Sequence, residues 1–245
     1  MNRAAYYAML SAPESLDYER YLSTGSLLAC QKPFDALCNA DELQFQIVHQ
    51  VEELWMKLIA YTLLDIDDYL RKGDARRVVT LFDRCNRLLK MMTEQLGLLE
   101  TMSPKEYQEI RLQLGNGSGQ ESPGFRVLTH MPPALWRSFE AQYLADGRTV
   151  LDIYDTGYAH DDAYVVAEAM IGFDELFQKF RAHHMYLIFR SIGVGSKSLK
   201  GRPIELLQSG VRHRFFPALW DVRGEMTDAW GASYGVVRES LSAEG

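Results

Sequence analysis

No apolar run in this chain approaches the ~18–20 residues that a bilayer-spanning helix needs. The opening residues, Met1-Asn2-Arg3-Ala4-Ala5-Tyr6-Tyr7, lead into no continuous apolar segment, so a secretory signal is not expected. Cysteine is scarce. Cys30, Cys38 and Cys85 are odd in number and lack Cys-x-x-Cys spacing, which argues against disulfides and a cysteine zinc site and points to reduced thiols in a cytoplasmic protein. Basic clusters are missing too: the net charge is −7, with Lys and Arg dispersed along the chain, which argues against nucleic acid or an anionic membrane as the main partner. The stretch from Gly115 to Gly124 is rich in glycine but lacks the Gly-Lys-Ser/Thr ending of a phosphate-binding loop. No Glu-x-x-His pair is present, which disfavours a di-iron bundle. Nor do repeats, sustained heptads or alternating strand patterns stand out.

What is present is helical. The chain has 245 residues, 47% of them hydrophobic and 24% charged, enough for one soluble domain over 1–245 with a large core. Ser15 opens a first helix that runs toward Cys30 and stops before Pro33. Asn39 and Glu42 have the spacing of a capping box for a long helix that reaches Gly73. In that helix Leu43, Ile47, Val51, Leu54 and Leu58 recur at helical spacing and are expected to face the core. A helix after Asp74 carries Val78, Leu81, Phe82, Leu88, Leu89, Met92 and Leu96 on its apolar face. Ser103-Pro104-Lys105-Glu106 combines a Ser cap, Pro at the first helical position and Glu at the third, the clearest helix start in the chain. Pro132-Pro133 begins another helix. Phe173 to Ile192 forms a further one, and shorter helices follow from Pro203 and around Phe215 to Trp220. The fold expected is an all-α bundle.

Two lines of residues carry candidate chemistry. Phe45, His49 and Glu53 lie four apart on a line distinct from the leucine stripe, so an aromatic ring and an imidazole share one wall. Either this is a cavity lining or a boundary histidine beside a partly covered Phe. On the later helix, Phe173, Leu176, Phe177, Phe180, His184, Leu187, Ile188 and Ser191 fall on one side, with Lys179, Arg181 and Arg190 elsewhere. A charged imidazolium inside that stripe would be expensive, so His184 should be neutral and its nitrogens need partners. A carbonyl is one solution; a metal or haem iron is the other. His183 points about 100° away and should be the less buried of the pair.

Taken in order, Phe45-x-x-x-His49-Gln50-x-x-Glu53-Leu54-Trp55-x-Lys57-Leu58, Glu106-Tyr107-x-x-x-Arg111-x-x-Leu114-Gly115, Phe125-Arg126, Phe180-Arg181-x-His183-His184-Met185 and Phe215-Phe216-Pro217-x-Leu219-x-Asp221-Val222-Arg223 resemble the tryptophan 2,3-dioxygenase family of helical haem enzymes. The resemblance implies haem b as cofactor, with His184 as the proximal iron ligand, and dioxygen as co-substrate. It implies His49 as the distal catalytic histidine and Phe45 as a pocket aromatic. Tyr107 and Arg111 then stand on the substrate side, with Arg111 clamping an amino-acid carboxylate through paired charge-assisted bonds. Tyr18, Tyr21 and Leu22 match a segment that completes a neighbouring subunit's pocket, which implies a homo-oligomer, a tetramer or dimer.

Two departures accompany it. Where the family has a Gly-Thr-Gly-Gly run, this chain has Lys197-Ser198-Leu199-Lys200, so Ser198 stands for the threonine; and the chain is shortened between Arg126 and Ile171. The activity implied is oxygenation of the indole of L-tryptophan or a modified tryptophan, by default 2,3-dioxygenation to N-formylkynurenine. The alternatives are a monooxygenase giving a hydroxylated or oxindole product, a haem tyrosine hydroxylase, a non-catalytic haem sensor, or a cofactor-free helical interaction protein.

Overall fold

The computed structural model describes residues 2–10, 16–115, 117, 122–197, 201 and 213–230. Among these residues the chain is all-α, as expected. The helices are α1 Arg3–Leu10, α2 Asp17–Leu22, α3 Thr24–Leu28, α4 Glu42–Lys72, α5 Ala75–Leu99, α6 Pro104–Gln113, α7 Pro123–His130, α8 Pro132–Tyr143, α9 Val150–Tyr154, α10 Asp162–Ile192 and α11 Pro217–Trp230. The three long helices α4, α5 and α10 form the frame, with α5 packed between the other two, and α7 and α8 lie against α4.

Local chemistry sets most of the ends. Ser103 and Glu106 form the expected capping box of α6. Asp74 accepts from the Arg77 N–H to open α5. Gly73 closes α4 at φ +70°, where a side chain would be strained. Other expectations need correction. The expected first helix is two, because Ser23 at φ +52° breaks it between α2 and α3; its proposed cap Ser15 lies outside the described residues. Asn39 and Glu42 form no capping box. Asn39 instead turns back to the Asp41 N–H and reaches α6, while the Glu42 carboxylate takes up Lys32 and the Cys38 N–H. The helix expected from Phe173 begins a full three turns earlier, capped by Asp161. The expected helix from Pro203 falls outside the described residues.

The largest correction concerns α4. Val48, Met56, Ile59, Leu63, Ile66 and Leu70 form its core face, all 4% exposed or less. Ile47, Leu54 and Leu58 are 42%, 48% and 41% exposed in this chain. The two stripes are offset by one residue, about 100° around the helix, and the true core face was hidden because it also holds Glu52 and Thr62. Thr62 returns its hydroxyl to the Leu58 carbonyl. Arg181, expected off the apolar side, is buried and lies over the rings of Phe125, Phe177 and Phe215 at 5.4, 4.8 and 5.6 Å.

Glu52 makes stability depend on pH. It is 7% exposed, its Oε1 has no hydrogen-bond partner, and burial pushes its pKa up to about 7 against a smaller opposing pull from Gln95. The folded chain keeps a proton that the unfolded chain releases near the ordinary value of 4.5. Stability is therefore expected to fall by roughly 3 kcal/mol as pH rises from about 4.5 to 7, and to level off above. Glu52→Gln should remove most of that slope, leaving stability at pH 4 unchanged. Urea denaturation at several pH values checks this; parallel slopes in both proteins would refute it.

Candidate functional site

Three helices bring the candidate residues together. α4 presents Phe45 and His49 one turn apart, with ring centroids at 4.1 Å. His49 Nδ1 lies 2.7 Å from the Phe45 carbonyl oxygen. A carbonyl only accepts, so Nδ1 carries the proton and Nε2 keeps a free lone pair. Burial pulls the His49 pKa below its ordinary value, opposed by that hydrogen bond and by the Glu53 charge.

α6 is seated against the start of α4 by Asn39, whose amide donates to the Glu106 carbonyl at 3.1 Å and to the Glu109 carboxylate at 3.0 Å. This puts the Tyr107 ring 6.3 Å from Phe45. Burial raises the Tyr107 pKa, so the phenol stays protonated. Arg111 follows one turn later, and its Nη2 donates to the Lys197 carbonyl at 2.7 Å. A guanidinium has five donors, so this bond leaves others free for a carboxylate.

α10 supplies His184. Burial, then the neighbouring imidazoles of His49 and His183, lower its pKa to about 4, so it is neutral at pH 7. The influence of His49 on His184 means that α4 and α10 bring the two imidazoles within electrostatic reach of each other. Among the described residues neither ring nitrogen of His184 has a hydrogen-bond partner, so the carbonyl alternative is not taken. His183 does have one: its Nε2 lies 3.0 Å from Glu100 Oε1, and its side chain is 37% exposed.

An uncharged, unpartnered imidazole on an apolar stripe fits an iron that already has four ligands from a macrocycle and needs one from protein. Among the described residues no cluster of three or more His, Cys, Asp or Glu is placed to hold a bare ion. Beside His49 opens a cavity of about 700 Å³, lined by Leu27, Cys30, Glu53, Met56, Gly124 and Val127 among others.

A family model described as tryptophan 2,3-dioxygenase matches residues 5–131, more than half of the chain and the part that holds Phe45, His49, Tyr107 and Arg111. The chain belongs to the tryptophan 2,3-dioxygenase family. It is 30% identical to a tryptophan 2,3-dioxygenase of Myxococcus xanthus, across 86% of this chain and 89% of that protein. A tryptophan 2,3-dioxygenase of Rhodococcus jostii is also 30% identical, across 87% and 93%. One from Xanthomonas campestris is 26% identical, across 85% and 87%.

Other expected site residues stand apart. Tyr18, Tyr21 and Leu22 are 72%, 88% and 44% exposed and are not among the residues that line the cavity beside His49. Ser198 lies outside the described residues, as does Lys200. Sequence reasoning missed α7 and the part it plays: Gly124 donates its N–H to Glu53 at 3.0 Å. The Ser122-Pro123 pair is the same kind of start signal as Ser103-Pro104, and Ser122 does accept from the Phe125 N–H.

Proposed function

We propose that this protein is a haem-dependent tryptophan 2,3-dioxygenase, with haem b ligated by His184, dioxygen as co-substrate and L-tryptophan as substrate. The observation that carries the reading is the unpartnered neutral imidazole of His184, in a chain of this family. When bound, the haem supplies the oxygen chemistry, and the chain's own residues hold and orient the substrate. His49 Nε2, with its lone pair free, accepts the indole N–H. Phe45 and Tyr107 offer aromatic faces for the ring. Arg111 takes the carboxylate, a task suited to its planar fork. The apolar stripe around His184 and the Phe45 ring keep water from the reacting atoms.

The reading is tested by giving L-tryptophan and air to the reconstituted ferrous protein. A product heavier by both atoms of dioxygen is expected; a product heavier by one atom, or none, would overturn it. Arg111→Ala should weaken tryptophan binding by roughly 2–5 kcal/mol, as for the loss of a buried charge pair. Tryptamine, which lacks the carboxylate, should bind both proteins alike. Spectral titration distinguishes the two, and an equal loss for both ligands would count against the clamp.

The proposal extends to a homo-oligomer, tetramer or dimer, in which Tyr18, Tyr21 and Leu22 reach a neighbouring copy's pocket. The outer α4 stripe supports it: Leu54, Tyr61 and Leu64 are 48%, 64% and 55% exposed, continuous with Ile47 and Leu58. Sedimentation should find more than one copy, and a monomer at micromolar concentration would refute this part. No helix among the described residues is long and apolar enough to cross a membrane. The three cysteines are free thiols, in keeping with a cytoplasmic setting.

A further inference from the structure

The first backbone N–H groups of a helix have no partner within it. In α7 the Phe125 N–H is taken by Ser122, and Pro123 has none to offer. That leaves Gly124, whose N–H donates to Glu53 Oε2 at 3.0 Å, across 71 residues of chain. Glu53 sits one turn beyond His49 on α4 and lines the same cavity. The approach is close: a Cβ on Gly124 would stand 2.7 Å from Met56 Cβ and 2.9 Å from Glu53 Oε2. Phe125, next along α7, packs its ring on Phe177 of α10 at 5.7 Å and lies under Arg181. Phe177 and His184 are seven residues apart, so they lie on the same side of α10 two turns from each other.

We propose that Glu53 is a positioning residue: by latching the start of α7 onto α4, it adds a second tie, beside α5, between the helix that carries His49 and the helix that carries His184. The connection runs from Glu53 through the Gly124 N–H into α7, and from the Phe125 ring into α10. A carboxylate suits the latch because it meets the positive end of the α7 dipole as well as an unpaired donor. The inference rests on the reading of His49 and His184 as the two sides of a haem pocket, and adds a tie that helps to hold them in place.

Three variants of the full-length, haem-reconstituted protein test it. Glu53→Gln keeps an oxygen that accepts from Gly124. Glu53→Leu removes it. Gly124→Ala leaves the carboxylate but adds a methyl group where there is no room. The readouts are haem content, the stretching band of carbon monoxide bound to the ferrous protein, and KM and kcat for tryptophan. Glu53→Gln, which gives up only the charge, should stay closer to wild type than Glu53→Leu in every readout. Glu53→Leu and Gly124→Ala should keep haem but shift or broaden the carbon monoxide band, and should lose roughly ten- to a hundredfold in kcat/KM, as when reacting groups are misplaced by a fraction of an ångström to an ångström. Wild-type bands and kinetics in Glu53→Leu would overturn the proposal, as would a Glu53→Gln protein as impaired as Glu53→Leu. If Glu53→Leu fails to fold, Gly124→Ala carries the test alone, and an unchanged band there overturns the latch. Failure of the underlying reading looks different: wild type itself would then take up no haem, or His49→Ala would leave the carbon monoxide band where it was.

Discussion

His184→Ala is expected to abolish stable haem binding. At neutral pH the imidazole has no proton to lose before it coordinates, because its pKa is held at about 4. Neither nitrogen must first give up a hydrogen bond within the described residues. Ligation of a haem iron by His184 would therefore meet neither cost, and removing the ring would remove the ligand without relieving any strain. Haem affinity should fall by more than the roughly 10–100-fold that loss of a supporting contact costs at a metal site. Free imidazole, which fits the hole left by the deleted ring, should restore a histidine-type spectrum. His183→Ala is the control: that ring is engaged with Glu100 and partly exposed, so its loss should leave the Soret band in place. Absorbance spectra of the three reconstituted proteins decide between the adjacent histidines. A histidine-type spectrum surviving in His184→Ala would remove the axial assignment, and the dioxygenase reading with it.

Asp174→Ala should be the most damaging single change to the fold away from the cleft. Asp174 is 0% exposed and gathers four donors. Its Oδ2 accepts from the backbone of Phe215 at 2.8 Å, the backbone of Phe216 at 3.1 Å and the Trp220 indole at 2.9 Å, and its Oδ1 accepts from Gln178 at 3.0 Å. Three of those bonds tie α10 to the start of α11. Alanine would leave several buried donors unpaired, a loss of about 3–5 kcal/mol. For a chain of this size that is a drop in Tm of roughly 6–20 °C. Asn, which keeps one accepting oxygen, should cost about half as much. Thermal and urea unfolding followed by Trp220 fluorescence would show α11 releasing. A change below about 1 kcal/mol would mean these bonds contribute little net stability.

Much of the architecture was legible because its determinants are local. The Ser103 box, the Asp74 cap and the Gly73 stop each depend on residues within one turn, and all are present. Where a determinant lay across the bundle, local pattern misled. α4 has apolar residues on two adjacent stripes, and period alone does not say which of them meets α5. The chain settled that by accepting Glu52 and Thr62 inside and leaving Leu54 and Tyr61 outside. Arg181 was misread for a similar reason, since three aromatic rings from α7, α10 and the start of α11 make a buried guanidinium tolerable.

For the cleft, the sequence by itself determined the identities and the pairings along each helix: Phe45 with His49, Tyr107 with Arg111, and a neutral His184 on an apolar face. Those follow from residue type and a spacing of four, which any helix converts into one shared wall. Tertiary structure alone decided that His49 comes within electrostatic reach of His184, that Arg111 is held by the Lys197 carbonyl, and that Glu53 grips Gly124. Such contacts join residues tens of positions apart, and nothing in a helical period reports the distance between two helices.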